Sequence, residues 1–329
     1  IKEGNMRDKK QRIAIIVGLT VGGLIIGMNI LQTLYISNRI KRSVTDEYVT
    51  HSVQIANAYS LAIANKMNEY MEQMRFYTDA DVISSANDTL IVAWMREHVS
   101  ARRSFFSSVM YVDKNGHAYK DAGGETGAAN ADFFTAVMQY QKNEYIDNPT
   151  VDSDTGKTVF HVARAAKVNG KTQGIFVASV SIETLQYMIN YIRLGETGYA
   201  WIISNDGRIL AHYDESYVLK TNILNSPQES IVQLARAAAE GGLGSGWIDS
   251  FDGSASQDFV AYTPIANTPW IFGLSIKDSQ VYQTGNALQS FMLVTGAIIC
   301  AVLFVMCILV TGGFLKPLIV VVKSINSIA

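Results

Sequence analysis

The stretch Gly195-Glu-Thr-Gly-Tyr-Ala-Trp-Ile-Ile-Ser-Asn-Asp-Gly-Arg-Ile-Leu-Ala-His212 decides how this chain is read. Ala200-Trp201-Ile202-Ile203 is a short apolar run, Ser204-Asn205-Asp206-Gly207 interrupts it, and Arg208-Ile209-Leu210 resumes it. An Asp-Gly pair between two apolar runs signals a β-hairpin, because glycine accepts the positive φ that the tight turn demands. The same order occurs upstream: Val109-Met110-Tyr111-Val112, then Asp113-Lys114-Asn115-Gly116, then His117-Ala118-Tyr119. The two turn glycines, 116 and 207, are 91 residues apart. A second echo sets Ser179-Val-Ser-Ile182 against Gly273-Leu-Ser-Ile276, with the isoleucines 94 apart. Two matches at nearly one offset predict two copies of one α/β module.

Outward from the hairpins the pattern turns helical. Glu183 to Leu194 reads as a joining helix with Leu185, Met188, Ile189 and Ile192 on its apolar face, ended by Gly195. From Ser43 to Tyr77 there is no Pro and no Gly. Val49, Val53, Ala56, Ser60, Ile63, Met67, Tyr70 and Met74 alternate in steps of four and three, a helical stripe. A second face carries Tyr48, Ile55, Tyr59 and Ala62. Such a helix either packs on its own modules alone or also forms the stalk of a parallel homodimer; two apolar faces favour the second.

Charge gives the topology. The chain has 329 residues, a net charge of −2 and 17% charged residues, against roughly 25% in soluble domains. The deficit lies in two uncharged stretches, Ile13 to Ile36 and Ser279 to Leu315. Within them, Ile13–Leu34 (22 residues) and Phe291–Val310 (20 residues) are long enough to cross a hydrocarbon core of about 30 Å as helices. The first has no clear cleavage site and reads as an anchor. Residues 1–34 carry five Lys/Arg and two Asp/Glu, hence +3. Residues 291–329 carry Lys316 and Lys323 and no acid, hence +2, which leaves −7 for residues 35–290. Basic ends are expected in the cytoplasm and the acidic middle outside it, with Arg39, Lys41 and Arg42 a minority against this rule. An acidic middle excludes a nucleic-acid binder, which needs a basic face. Both cysteines, Cys300 and Cys307, fall in the second apolar run, so the external region must fold on its own apolar core.

No catalytic constellation is present. His51, His98, His117, His161 and His212 are scattered without zinc-ligand spacing. No nucleophile elbow, P-loop or dinucleotide fingerprint occurs. Gly241-Gly-Leu-Gly-Ser-Gly246 lacks the Lys-Ser/Thr of a phosphate loop and reads as a loop before Trp247-Ile248. The expectation is no catalytic residue, no metal and no cofactor.

A membrane helix, a long helix, two tandem strand–turn–strand modules and a second membrane helix together resemble the double Cache (dCache) sensor region of bacterial transmembrane receptors. Gly195–His212 is similar to the opening of that family's membrane-proximal module, and Pro149-Thr-Val-Asp-Ser-Asp-Thr-Gly-Lys157 to a loop of its distal module. Phe314-Leu-Lys-Pro-Leu318, running into Val322, Ile325 and Ile328, resembles the first helix of a HAMP relay linker. The resemblance implies an α/β (α+β) fold: a long stalk helix and two tandem PAS-like Cache modules, flanked by two transmembrane helices. The expected divisions are a cytoplasmic 1–12, a membrane helix 13–36, a stalk 37–79, a distal module 80–194, a proximal module 195–285, a second membrane helix 286–313 and the HAMP start 314–329. The function implied is a chemotaxis receptor of the cytoplasmic membrane. The alternatives are the sensor of a histidine kinase or diguanylate cyclase, and an ectodomain that binds a protein partner.

The family's usual ligand site is in the distal module. In amino-acid-sensing members an Arg-x-Trp-Tyr phrase holds the ligand carboxylate and a later Asp its amine. The matching stretch here is Ala131-Asp132-Phe133-Phe134, without the arginine, and Asp152 matches the amine-binding Asp. The candidate site is therefore Phe133 and Phe134 as apolar wall, Tyr111 and Tyr119 as hydrogen-bond donors, Asp121, Asp147 and Asp152 as acceptors, and Arg103, just before a strand expected at Phe105-Phe106, as substitute cation. Tyr199, Trp201, His212, Tyr213 and Asp249 are a secondary candidate in the proximal module. The expected ligand is small and polar: an amine, an amino-acid-like compound or an NH-rich ring. The other expected partners are a second copy, the membrane and a cytoplasmic output domain.

Overall fold

The structure, a computed structural model, describes the backbone of residues 2–251 and 253–326. The side chains of residues 1–15, 17–19, 40–42, 44–45, 252, 284 and 307–329 lie outside the described residues, and with them the expectations placed on Cys307, Lys316, Pro317 and Lys323. The chain divides into two units, Ile1–Glu47 with Val281–Ala329, and Tyr48–Gln280.

The first unit holds the beginning of α1 (Lys2–Gln73) and most of the last helix. Thr20–Arg39 and Asp278–Met306 are long and apolar enough to cross a membrane. Their apolar side chains point outward: Leu24, Met28, Leu31, Phe291 and Val302 are exposed. Small residues let the two helices approach, since a Cβ on Gly22 would come within 3.1 Å of Phe304 and one on Gly296 within 3.2 Å of Asn29 Oδ1.

The second unit is built on the C-terminal part of α1, followed by α2 (Arg75–Thr78) and α3 (Asp88–Glu97). Asn87 caps α3, its side chain accepting from Thr89 N and Leu90 N. Next come β1 (Ser108–Val112), β2 (His117–Lys120), β3 (Glu125–Gly127), the single-turn α4 (Asp132–Phe134), β4 (Glu144–Ile146), β5 (Thr150–Val151), β6 (Thr158–Val168) and β7 (Lys171–Ser181). α5 (Glu183–Asn190) leads to β8 (Tyr199–Ser204), β9 (Ile209–His212), α6 (Glu229–Ala239), β10 (Gly244–Asp249), β11 (Gln257–Pro264), β12 (Trp270–Lys277) and α7 (Asp278–Asn326). Two expectations need correction. α5 ends at Asn190, five residues before Gly195, and Phe105-Phe106 precede the strand instead of starting it. Both phenylalanines pack on Tyr70 of α1, with ring centroids 4.9 and 6.1 Å away.

The repeat is visible in the sheets. One sheet runs β3-β2-β1-β7-β6-β4, with β5 also on β6, and the other β9-β8-β12-β11-β10. In each, the opening hairpin lies beside the module's last strand, and every pairing is antiparallel. Gly116 and Gly207 hold φ of 83° and 84°, and a Cβ on Gly116 would sit 2.6 Å from Ala129. The register corrects the second echo. Ser108 faces Ser179, and its counterpart Tyr199 faces Ser275, so Ser179 matches Ser275 at an offset of 96 rather than 94. A two-residue slip keeps every side chain on its own face, which is why the misaligned echo still found the right strands.

Side-chain alternation divides each sheet into two faces. Val109, Tyr111, Phe160, Val162, Phe176 and Val180 of the first sheet join Ala200, Ile202, Phe272 and Leu274 of the second in one core on α1. From α1 this core receives Ala56, Ile63, Met67 and Tyr70, and from the junction after it Met74, all nearly fully buried, as the stripe predicts. Burial of each large apolar side chain contributes about 1.5–3 kcal/mol, so α1 ties the two modules to a shared interior. Of the second stripe, Tyr59 is 37% exposed, and its ring lies 6.2 Å from Phe272. The other two faces carry separate clusters, one per module.

Candidate ligand-binding site

On the distal sheet's second face lies an open-sided cavity of about 160 Å³. A void of that size accommodates a molecule about as large as benzene. Alternate residues of the strands line it: Ser108 and Met110 from β1, Lys120 from β2, His161 from β6 and Ser179 from β7. Phe133 of α4 and the segment from Thr150 to Ser153 close the sides.

The floor is a buried ion-pair geometry. Asp147 follows β4, and its carboxylate is 4% exposed. One oxygen accepts from His161 N at 2.6 Å and the other from His161 Nδ1 at 2.7 Å. An ionised carboxylate only accepts, so Nδ1 carries a proton toward Asp147, and Nε2 has no hydrogen-bond partner among the described residues. The Phe133 ring meets the imidazole edge-on at 5.3 Å. Beside it, Ser108 Oγ donates to Ser179 Oγ at 3.1 Å.

At the rim, Asp152 Oδ1 accepts from Thr155 N (2.8 Å), Thr155 Oγ1 (3.0 Å) and Asp154 N (3.0 Å). Burial works to raise this carboxyl's pKa. The Thr155 and Asp154 hydrogen bonds and the Lys120 charge outweigh that and hold it below its ordinary range. Oδ2 makes no hydrogen bond among the described residues. Lys120 is ion-paired with Asp154. Asp152 is the carboxylate on the cavity wall, with Asp147 and Asp154 behind it paired to the lining residues His161 and Lys120, a balance that favours a ligand with positive charge or N–H donors. Among the described residues no group of three or more His, Cys, Asp or Glu is placed to hold a metal.

A family model of the Cache domain (dCache_1) matches residues 36–284. This chain belongs to the double Cache family. Among curated relatives, the methyl-accepting chemotaxis protein PscA of Pseudomonas syringae pv. tomato is 27% identical over 140 residues, 42% of this chain and 20% of PscA. The methyl-accepting chemotaxis protein PctB of Pseudomonas aeruginosa is 24% identical over 173 residues, 52% of this chain and 25% of PctB. The matched stretches thus span a fifth to a quarter of those relatives. The ligand-binding domain of the Pseudomonas fluorescens chemoreceptor CtaA, solved with L-isoleucine, superposes with a TM-score of 0.58 at 18% identity, covering 74% of this chain and 98% of that one. That of PctB, solved with L-Arg, gives 0.57 at 16%, covering 72% and 98%. At these identities the likeness is one of fold.

Within the Cache fold the sequence candidates separate. Phe133 and Asp152 line the distal cavity, Asp147 anchors its floor through His161, and Phe134 is buried in the cluster beneath it. Tyr111 and Tyr119 are cross-strand partners on the opposite face. Tyr111 OH donates to Asp88 at 2.7 Å, and burial followed by that bond pushes its pKa far up. Strand parity therefore places the two tyrosines on the face away from this cavity. Asp121 is spent on Arg102 Nη1 (2.7 Å), and Arg103 bonds Gln73 on the surface (2.9 Å). The sequence reading missed Lys120, Ser108, Ser179 and the inward aim of His161. The signal for His161 is its place as the lone polar residue in Val159-Phe-His-Val-Ala163, a buried strand.

The proximal Cache module is filled where the distal one is open. Trp201, counterpart of Met110, is 1% exposed and donates through Nε1 to Ser275 Oγ at 2.8 Å. Gly273 makes room for its indole, since a Cβ there would lie 2.1 Å from Cζ2. Tyr199 OH bonds Asp258, Asp249 bonds Ser230, and the rings of Tyr199 and Tyr213 pack on His212. A groove of about 330 Å³ lies elsewhere in this module, by Tyr217, Asn222, Gln228 and Phe251. It is larger, yet Asn222 and Ser226 spend their polar atoms on the adjoining backbone. The distal cavity, with His161 Nε2 and Asp152 Oδ2 uncommitted, is the better receptor.

Proposed function

We propose that this chain is the sensory part of a transmembrane chemoreceptor whose distal Cache module binds a small amine-bearing ligand, amino acids included. One observation carries the reading: Asp152 and His161 line one small cavity walled by Phe133, with Asp152 Oδ2 and His161 Nε2 unpartnered among the described residues. An ammonium at Asp152 and a further N–H at His161 satisfy both. Lys120 can exchange its Asp154 partner for a ligand carboxylate. The CtaA and PctB ligand-binding domains, solved with L-isoleucine and L-Arg, support this ligand class.

In this proposal α1 and α7 cross the cytoplasmic membrane, with residues 37–285 outside it and the modules divided as 80–194 and 195–285. Two helices of sufficient length and apolarity flank the matched family region, which supports that topology. Residues 314–329 begin a HAMP linker that passes the signal to an output domain, and the chemotaxis names of the relatives support the output. A parallel homodimer forms through Tyr59 and Ala62 of α1. Ligand binding stabilises one of two module arrangements and shifts their populations.

The test is calorimetry on the full chain in nanodiscs against a panel of the twenty amino acids and simple di- and polyamines. At least one compound is expected to bind, and Asp152→Ala to weaken it about tenfold or more, the loss of one charge-assisted hydrogen bond. Binding by none of the panel, or binding indifferent to Asp152, refutes the reading.

A further inference from the structure

The two residues of the cavity floor each have a chain neighbour aimed at the proximal module. Asn148, next to Asp147, donates through Nδ2 to Asn205 Oδ1 at 2.9 Å. Phe160, next to His161, meets the Trp270 ring edge-on at 4.9 Å, with both side chains at or below 1% exposure. Asn205 and Trp270 belong to one corner of the second sheet. Ser204 and Trp270 are cross-strand partners there, and Asn205 N donates to Pro269 O at 2.8 Å.

The linkage is stiff on the cavity side. Asp147 is bound through both oxygens to His161, so the segment after β4 and strand β6 move as one body. It is unsaturated on the far side. Asn148 Oδ1 and Trp270 Nε1 are buried without a hydrogen-bond partner among the described residues. Buried polar groups are normally paired. Here one acceptor and one donor remain unspent at the same junction, which a second arrangement of the modules can satisfy.

We propose that Asn148 and Phe160 are positioning residues that transmit displacement of the Asp147–His161 pair to the Asn205–Trp270 corner. Ligand that pulls on His161 or Asp147 shifts both neighbours together, and the corner answers because packed contacts have no slack to absorb the move. The inference rests on the distal cavity being the sensory site. Its test perturbs that cavity by substitution and uses no ligand, so failure of the relay and failure of ligand binding are distinguishable.

Hydrogen–deuterium exchange is followed by mass spectrometry on the full chain in nanodiscs. Four chains are compared: native, Asp147→Asn, Asn148→Ala and the double variant. Asp147→Asn is expected to change exchange of the 199–212 peptide about fivefold, the lower end of ordinary allosteric couplings. In the Asn148→Ala background that increment is expected to shrink or vanish. A merely structural Asn148 changes exchange by itself and leaves the Asp147→Asn increment intact, which overturns the proposal. So does an unchanged 199–212 peptide in Asp147→Asn. His161→Gln replaces Asp147→Asn if the latter fails to fold, and Phe160→Leu tests the second contact by the same cycle.

Discussion

Asp147→Asn is the sharpest perturbation of the cavity, because it inverts one hydrogen bond without removing any atom. In the native chain the carboxylate accepts both from His161 N at 2.6 Å and from Nδ1 at 2.7 Å, which puts a proton on Nδ1 and, in a neutral ring, leaves Nε2 as an acceptor. In the asparagine variant the amide oxygen keeps the backbone bond, and the NH2 group replaces the second oxygen. That group must donate, so Nδ1 becomes the acceptor and the proton moves to Nε2. Two charge-assisted bonds become neutral ones, at a cost to folding of about 1–2 kcal/mol. The cavity meanwhile presents N–H where it presented a lone pair. A ligand N–H that met an acceptor now meets a donor, a loss of about 1.5–3 kcal/mol, or roughly 10- to 150-fold in affinity. Long-range ¹H–¹⁵N NMR of the histidine rings in the labelled full chain reads the tautomer, and calorimetry with whichever amine binds the native chain reads the affinity. An Nε2–H tautomer in the native chain refutes the assignment. Unchanged affinity after a demonstrated inversion refutes the ligand contact. Asp147→Ala differs in kind: it strands two buried donors and destabilises by about 3–5 kcal/mol, measured by urea unfolding in detergent.

Three further outcomes follow from the packing. Trp201→Ala removes a side chain that is 1% exposed and bonded to Ser275; it is expected to cost about 3–5 kcal/mol in urea unfolding and to open a void on the proximal sheet. Met67→Ala, fully buried where α1 supports both modules, is expected to lower stability by about 2–5 kcal/mol, with hydrogen exchange rising in both modules rather than one. His212 is buried with its pKa lowered, chiefly by desolvation, so the unfolded chain binds the proton more readily than the folded one. Its contribution is complete above the unfolded value near 6.5 and is lost as pH falls below it; urea midpoints are expected to decline from pH 6.5 to 5 in the native chain and less steeply in His212→Gln.

What was legible in the sequence is what period and turn chemistry encode. The 4-3 stripe on α1 named the buried residues of the stalk, and the two Gly turns named the hairpins, because both patterns are local. The site was only partly legible. Phe133 and Asp152, named from the sequence, line the cavity, and Lys120 and His161, not named, line it too, because which face of a strand lines the cavity depends on what covers each side. Tyr111 and Tyr119 show the cost: one residue of parity separates Tyr111 from Met110, and Tyr119 from Lys120, and the tyrosines lie on the face away from the cavity. Asp152 was legible by resemblance, yet three hydrogen bonds to its Oδ1 show that one oxygen shapes the loop and only the other is free for a ligand.

The two modules differ in whether a cavity opens on the second face of the sheet. They share strand order, turn glycines and matched serines at 179 and 275, so topology cannot set them apart. Side-chain volume at two matched positions does. Where the proximal sheet has Trp201 over Gly273, the distal sheet has Met110 over Val177, since the offsets of 91 and 96 make these pairs equivalent. The indole occupies the face and uses Ser275 as its hydrogen-bond acceptor, so the matched serine is spent within the module. In the distal module Met110 is shorter, Val177 leaves no seat for an indole, and Ser179 remains on the cavity wall. A repeated fold thus carries an open cavity in one copy and a packed face in the other through a large-for-small exchange, without any change of backbone plan.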